Sequence, residues 1–312
     1  MRIIHISVAL TLITLASCSK QISLEPLSFD VKADSASYKA GSKATFIFSG
    51  KPDNITFFPG VTGRRFEFRD RTEAAGTPLL QFNTALNSGV QPNTLALMVS
   101  TDFPGGLTAS SNPSLITGAT WTNISNRATL ANSATVTPSG MVDLSDFATA
   151  GKPVYIAFKY SAAAGSIQNR WTITNLSLRN VLADGTSYIQ DTMPSIVIIN
   201  NYGIGSNMPG WASGTVANTF RWTLSASSMA ISGASTAAAA TAPSEAWAIT
   251  GPVNLKKVVP DAGITVQTMA NVTGSFTYTY AIPGNYQAVF VGSNANRDKQ
   301  QSVERQLTIN VQ

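Results

Sequence analysis

The side chains that could do chemistry are few in this chain of 312 residues. It contains a single cysteine, Cys18, and a single histidine, His5. Beyond Cys18 the chain therefore has neither a thiol nor an imidazole. Their absence excludes Ser-His-Asp and Cys-His catalysis, H-E-x-x-H metal sites, His-ligated zinc and disulfides from that part of the chain.

Carboxylate pairs are the remaining route to an enzyme. Asp143 with Asp146 in "VDLSD", and Asp184 with Asp191, have the residue types of a glycosidase, whose two carboxyls lie roughly 5 to 10 Å apart. Aspartates at turns more commonly accept hydrogen bonds from nearby backbone N–H groups. We therefore expect no enzymatic activity, and a carboxylate-dependent glycoside hydrolase is the less favoured alternative. No cofactor is expected, and structural calcium stays open although no D-x-D-x-D-G loop is present.

Exposed aromatic rings are the candidates for binding, because a Trp or Tyr ring offers a large apolar face to a ligand. The loop "NNYGIGSNMPGWASG" is rich in Gly, Asn and Pro and carries Tyr202 and Trp211. Trp121, in "WTNIS", is a third candidate. Trp171 and Trp222 lie in alternating patterns typical of strands, so we expect both in the core. Trp211 is equally consistent with a ligand contact and with a plug at the end of a sandwich.

The N-terminus has the layout of a secretory signal peptide. A polar start with Arg2 and His5 precedes a largely apolar run over 6–16, which is shorter than the ~20 apolar residues that span a bilayer. "LASC", ending at Cys18, resembles the bacterial lipobox. That resemblance implies cleavage after residue 17 and acylation of Cys18, with 18–26 as a tether. Because one acyl chain anchors weakly, the several chains typical of bacterial lipoproteins imply stable membrane attachment.

Composition predicts an all-β fold with no nucleic-acid partner. Charged residues make up only 12% of the chain and hydrophobic residues 44%, which suits many short strands joined by polar turns. The net charge of +5 is spread thinly along the sequence. Neither a nucleic-acid surface nor a polybasic membrane patch is indicated.

Alternating apolar and polar residues mark strands at both ends of the chain. "ATFIFSG" and "NITFFPG" alternate near the start, "RRFEFRDR" continues the pattern, and "SFTYTYAIPGNYQAVFVGSN" alternates on both sides of a Pro-Gly turn near the end. Neither end alone has the roughly seven strands of an immunoglobulin-like sandwich. We therefore predict that 27–75 and 261–312 pair in one discontinuous sandwich, with 76–260 inserted between them.

Both regions resemble known modules. "YKAGSKATFIFSGKPDNITFFPG" and "YAIPGNYQAVFVGSN" followed by "LTINV" resemble the opening and closing strands of PKD and other Ig-like modules. "LALMVSTDFPG", "WTNIS", "SGMVDLSDF", "GKPVYIAFKY" and "RWTITNLSL" are similar to jelly-roll modules of bacterial adhesins and carbohydrate-binding proteins. The resemblance implies an Ig-like sandwich, discontinuous in sequence, plus a jelly-roll sandwich.

Taken together, the lipobox, the split Ig-like region and the jelly-roll region resemble an uncharacterised family of Bacteroidota surface lipoproteins. Members accompany glycan-import systems of the starch-utilisation type. The resemblance implies a lipid-anchored outer-membrane protein that faces the cell exterior and binds a polysaccharide or oligosaccharide, beside an outer-membrane glycan transporter complex. The alternative from another class is a structural or adhesive lipoprotein with a protein partner.

Overall fold

A computed structural model describes residues 26–107, 113–149, 151–193, 199–201, 204–206 and 210–312. The signal peptide, Cys18 and most of the tether lie outside the described residues, as does Tyr202. Strands dominate the described part of the chain, so the predicted all-β fold is confirmed. No helix among the described residues is long and apolar enough to cross a bilayer.

The strands of the described residues are, in chain order, β1 (Phe29–Ala33), β2 (Ser37–Tyr38), β3 (Lys43–Gly50), β4 (Asn54–Phe58), β5 (Thr77–Ser88), β6 (Leu95–Ser100), β7 (Thr122–Asn123), β8 (Thr137–Pro138), β9 (Val142–Asp143), β10 (Tyr155–Ala162), β11 (Arg170–Val181), β12 (Ser187–Thr192), β13 (Ile199–Asn201), β14 (Ile204–Ser206), β15 (Ala212–Ala217), β16 (Thr223–Leu224), β17 (Ser228–Ser232), β18 (Ser244–Ile249), β19 (Ile264–Gln267), β20 (Ser275–Thr279), β21 (Gly284–Ala295) and β22 (Gln300–Val311). One short helix, α1 (Ser114–Thr117), and 3-10 turns at Phe66–Phe68, Ser125–Arg127 and Ser145–Phe147 complete the elements of the part of the chain that the structure describes.

The chain divides into two compact units. Of the described residues, unit 1 contains 26–69 and Ala262–Gln312, and unit 2 lies within Asp70–Asp261. The division lies before the expected boundary at 75/76 because the chain after Asp70 already pairs within unit 2. The amide of Val258 donates to the carbonyl of Thr72 at 3.0 Å, and Glu73 forms a β-bridge with Lys257.

Unit 1 is a sandwich of two sheets. One sheet has the order β1-β3-β20, and the other has the order β19-β4-β21-β22-β2. Alternation along each strand sends aromatic rings into the space between the sheets. Phe46 of β3 lies 5.3 Å from Phe57 and 4.9 Å from Phe290 between ring centroids, so rings from both sheets form one core.

Two features of unit 1 differ from the sequence prediction. The alternating "RRFEFRDR" forms a 3-10 turn at Phe66–Phe68 instead of a strand, because Phe66 packs edge-on against Phe58 at 5.3 Å. The segments flanking Pro283 both form strands, but β20 and β21 belong to different sheets and do not pair. The chain therefore crosses from one sheet to the other at 280–284.

Unit 2 is a larger sandwich. A five-stranded sheet in the order β15-β18-β10-β6-β7 faces a seven-stranded sheet with the main order β16-β17-β11-β5-β8, in which β12 pairs with β11 and β9 with β5. Phe82 of β5 and Phe158 of β10 join the two layers at 4.9 Å between ring centroids. The opposite face of the five-stranded sheet is covered by a second cluster that includes Phe103 and Ile116.

Candidate functional site

Trp211 lies in the core of unit 2, and not on a solvent-facing loop. Its side chain is 8% exposed and stacks on Phe158, with ring centroids 5.7 Å apart and an interplanar angle of 18°. The Gly- and Asn-rich composition before it suggested an exposed loop. Trp211 directly precedes β15, however, and its ring turns into the space between the sheets. It is therefore a packing residue.

Asp191 lies beside Trp211 as a buried carboxyl group. Its Oδ2 accepts a hydrogen bond of 2.9 Å from Trp211 Nε1, whereas Oδ1 has no hydrogen-bond partner among the described residues. Burial raises the pKa of Asp191 to about 7, and the Trp211 hydrogen bond only partly offsets that effect. The carboxyl group is not accessible to a substrate, since its residue is only 1% exposed.

Trp121 is also held by packing. Its ring centroid lies 4.9 Å from that of Trp247 and 5.5 Å from that of Phe103, and its Nε1 donates to the carbonyl of Ile116 at 3.0 Å. Trp121 is half-buried, so only part of the ring faces solvent. Of the three aromatic candidates, two therefore pack against neighbouring rings, and Tyr202 lies outside the described residues.

The remaining acidic candidates have local structural partners. Asp143 Oδ1 accepts hydrogen bonds from the amide and hydroxyl of Ser145, and Asp184 Oδ1 accepts one from the amide of Thr186 at 3.0 Å. Asp146 accepts two hydrogen bonds from the Arg127 guanidinium, at 2.7 and 2.8 Å, in a bidentate salt bridge. This interaction holds the pKa of Asp146 below its usual range. Within the described part of the chain, no three His, Cys, Asp or Glu side chains converge as metal ligands would.

An aromatic cleft that the sequence reading missed lies at one end of unit 1. It encloses about 600 Å³ where the chain crosses between sheets. We call it the tyrosine cleft. Its lining consists of Gly60, Val61, Thr62, Arg65, Tyr278, Thr279, Tyr280, Ala281, Ile282, Asn285 and Tyr286.

The tyrosine rings of the cleft are fixed by their contacts. Tyr280 is buried, and its ring centroid lies 4.8 Å from that of Tyr278 and 4.6 Å from that of Tyr286. The hydroxyl of Tyr280 donates to the carbonyl of Pro59, and that of Tyr286 donates to the carbonyl of Ile282 at 2.7 Å. The half-buried Tyr278 and Tyr286 rings are thus pre-oriented around the buried one.

The opposite wall of the cleft is a tight loop that requires a glycine. Gly60 has a φ of +81°, and a Cβ there would lie 2.6 Å from the carbonyl oxygen of Gln287. The amide of Gly60 donates to the carbonyl of Arg64, which closes the loop. Arg65 donates to the Thr62 hydroxyl at 3.1 Å, so its guanidinium stays at the rim.

A second hollow of about 370 Å³ shares Gly60, Arg65 and Asn285 with the cleft. We call it the amide groove, because exposed amide side chains of β21 and β22 form one of its walls. Gln306 Nε2 donates to Gln287 Oε1 at 2.8 Å. Asn310, which does not itself line the groove, donates through Nδ2 to Asn285 Oδ1 at 2.7 Å. The remaining lining residues are Phe66, Glu67 and Val289.

The two hollows present mainly uncharged groups. Burial raises the pKa of Tyr278, and the nearby positive charge of Arg64 only partly opposes this effect, so the hydroxyl stays protonated at neutral pH. Aromatic faces beside neutral donors and acceptors suit a polar ligand with apolar patches. The three tyrosines around Pro283 are the sequence signal that could have revealed the cleft.

Unit 2 also has a hollow of about 480 Å³, with Trp171 in its lining. The Trp171 ring is only 4% exposed, and its Nε1 is already bonded to the Thr94 hydroxyl at 2.8 Å. This hollow therefore offers a ligand little aromatic surface. The tyrosine cleft is the better candidate for a binding site.

The fold defines an all-β chain of two sandwich units, one split in sequence by the other. Residues 17–197 match a family described as a domain of unknown function (DUF5017), and the chain belongs to that family. No curated protein and no solved structure matches the chain. The match includes the Gly60 loop of the cleft but ends before its tyrosines.

Proposed function

We propose that this protein is a non-enzymatic, lipid-anchored glycan-binding protein. The observation that carries the proposal is the tyrosine cleft, where fixed aromatic rings stand beside exposed amide side chains. The site proposed on sequence grounds, around Trp211, is replaced by this cleft because Trp211 is buried.

The chemistry of the cleft suits a sugar. A pyranose ring has an apolar face of C–H groups, which packs on aromatic rings such as those of Tyr278 and Tyr286. Its hydroxyls both donate and accept hydrogen bonds, as do the side-chain amides of Asn285 and Gln287. Each hollow falls within the roughly 300–1,000 Å³ typical of small-molecule sites.

Binding without turnover is supported by the placement of the carboxylates. Glycoside hydrolysis needs two carboxyl groups that flank the scissile bond. The only carboxylate that lines either hollow, among the described residues, is Glu67 in the amide groove. Asp143 and Asp146 are engaged in a turn and an ion pair, and Asp191 is buried.

The setting of this function is a membrane surface. We propose that Cys18 carries the lipid and that the mature chain faces the exterior of an outer membrane of the Bacteroidota type, beside a glycan transporter complex. The support is the apolar N-terminal segment followed by the lipobox-like "LASC".

The anchor has a direct test. Cys18→Ala should abolish acylation and leave the protein soluble or uncleaved, because no other thiol exists in the chain. Membrane fractionation and mass spectrometry of the N-terminus measure this. Ser17→Ala serves as the control and should keep the lipid. An acylated, membrane-bound Cys18→Ala protein would contradict the anchor assignment.

Binding can be tested with the soluble chain from Ser19 onward. Affinity gels of starch, xylan, β-glucan and β-mannan should show retarded migration on at least one polysaccharide. Tyr278→Ala should weaken that retention by about tenfold, since a central aromatic contact carries much of a binding free energy. Tyr188→Ala removes a half-buried tyrosine from a strand of unit 2 and is the matched control, with unchanged retention expected.

Because Tyr278 also packs against Phe57, the melting temperature of each variant must be measured. If Tyr278→Ala fails to fold, Asn285→Ala provides a second test, since this exposed amide contributes little to the core. Unchanged retention in a folded Tyr278→Ala or Asn285→Ala protein would refute the cleft as the site. Release of oligosaccharides by the wild-type chain would refute the non-enzymatic assignment.

A further inference from the structure

We infer that the ligand is a neutral, linear glycan chain bound along its internal sugar units, across both the tyrosine cleft and the amide groove. This inference rests on the proposed function and specifies the class of glycan. It depends on three observations: the lining residues that the two hollows share, the arrangement of their amides and the balance of their charges.

The two hollows are neighbours that share part of their lining. Gly60, Arg65 and Asn285 line both of them. Asn285 lies near the start of β21, just after the chain has crossed from the other sheet. The tyrosines of the cleft lie on one side of Asn285. Gln287 follows two residues later on the same face of β21 and lines the amide groove. A ligand that contacts Asn285 therefore has lining residues on both sides.

The polar contacts extend along the direction of the strands. Asn285 is opposite Asn310 in the register of β21 and β22, Gln287 is opposite Thr308, and Val289 is opposite Gln306. Side chains on one face of a strand repeat every ~6.8 Å, because the rise is ~3.4 Å per residue. The amides thus form a row, which fits a chain-like ligand better than a single compact sugar.

These exposed amides are already oriented by one another. Gln287 Oε1 accepts hydrogen bonds from Gln306 Nε2 at 2.8 Å and from the Thr308 hydroxyl at 3.3 Å. The Nε2 of Gln287 has no partner among the described residues, so it can donate to a ligand. Side chains that are fixed before binding lose less rotamer freedom when the ligand arrives. The row is therefore a pre-formed surface for hydroxyl groups.

The charges that line the hollows are few and opposite in sign. Arg65 borders both hollows, and Glu67 borders the amide groove. The other polar side chains of the lining are amides, tyrosines and threonines, and all of them are uncharged. A polyanionic glycan would need a surplus of positive charge and would bind with strong salt dependence. A neutral glycan fits this lining, and its binding should change little with salt.

Calorimetry with a size series tests the inference. The probes are neutral oligosaccharides, from disaccharide to hexasaccharide, of whichever of starch, xylan, β-glucan or β-mannan the chain retains. Affinity should rise by about tenfold or more with length, since longer chains reach both hollows. Gln287→Ala should weaken hexasaccharide binding more than disaccharide binding. Gln300→Ala, an exposed amide at the far end of the same strand pair, should change neither.

The outcomes distinguish a failure of this inference from a failure of the proposed function. A disaccharide that binds as tightly as the hexasaccharide would overturn extended binding, and equal losses for both ligands in Gln287→Ala would do the same. Retention of acidic polysaccharides alone would overturn the neutral assignment. In each of these three cases glycan binding itself would stand. A chain that binds none of the polysaccharides, neutral or acidic, would overturn the proposed function together with the inference.

Discussion

At the scale of single residues, Asp191 is a carboxyl group in a place that disfavours its charge. Trp211 Nε1 donates to its Oδ2, its Oδ1 has no hydrogen-bond partner among the described residues, and no cation is paired with it there. The residue opposite Asp191 on β11 is Leu178, which is itself fully buried. Desolvation therefore dominates and favours the protonated acid.

This burial predicts an unusual dependence of stability on pH. Because the pKa of Asp191 is raised from its ordinary value to about 7 in the folded chain, the folded state holds this proton more tightly than the unfolded state. Its contribution is most favourable at pH values below ~4 and is lost as the pH rises towards ~7. The free energy of unfolding should then level off, since the group is ionised in both states.

Asp191→Asn should remove this slope, since an amide keeps an acceptor for Trp211 and does not ionise. Denaturant melts between pH ~4 and ~8 measure the effect, and the variant should be the more stable protein at neutral pH. Asp184→Asn is the control, because Asp184 is an exposed turn residue. Carboxyl groups whose pKa is lowered in the folded chain, such as that of Asp146, change the stability only at pH values below this range. Parallel slopes for wild type and Asp191→Asn would contradict the assignment.

At the scale of elements, alternation predicted strands well but could not predict their partners. The segments that became β6, β10 and β11 have clear patterns, and each forms a strand. Alternation also marks β20 and β21, yet nothing in it states that they join different sheets. Pairing depends on contacts that are distant in sequence, and these are decided by the closure of the whole sandwich.

Aromatic residues were harder to place than strands. In "RRFEFRDR" the alternation was genuine, but Arg69 lies over the Phe66 ring at 3.8 Å and the segment turns instead of extending. The residues before Trp211 have the composition of a loop, but Trp211 itself is buried in the core. The tyrosines around Pro283 were a sequence signal for an aromatic site, but the cleft itself was not visible in the sequence, because its two walls, around Gly60 and around Tyr286, meet only in the folded unit.

At the scale of the whole molecule, one unit is inserted into the other. The ends of unit 2 come together where the amide of Ala74 donates to the carbonyl of Lys256 at 2.9 Å and Arg71 pairs with Asp261 at 3.7 Å. An inserted domain whose first and last residues lie close together is tolerated by the host domain, because the host chain need not rearrange to accommodate it. Unit 1, by contrast, depends on strands from both of its segments.

This organisation predicts that the two units respond differently to truncation. The segment Asp70–Asp261, expressed alone, should fold and unfold cooperatively, because both sheets of its sandwich lie within it. A chain that ends at Asp261 should keep that transition and lose the one that belongs to unit 1. It lacks β19 to β22, so β1, β3 and β4 would expose the apolar faces that now form a shared core. Calorimetry and circular dichroism of the full chain and both fragments measure this. A truncated chain that still showed the transition of unit 1 would mean that residues 26–69 fold without their partner strands, and the split sandwich would then be wrong.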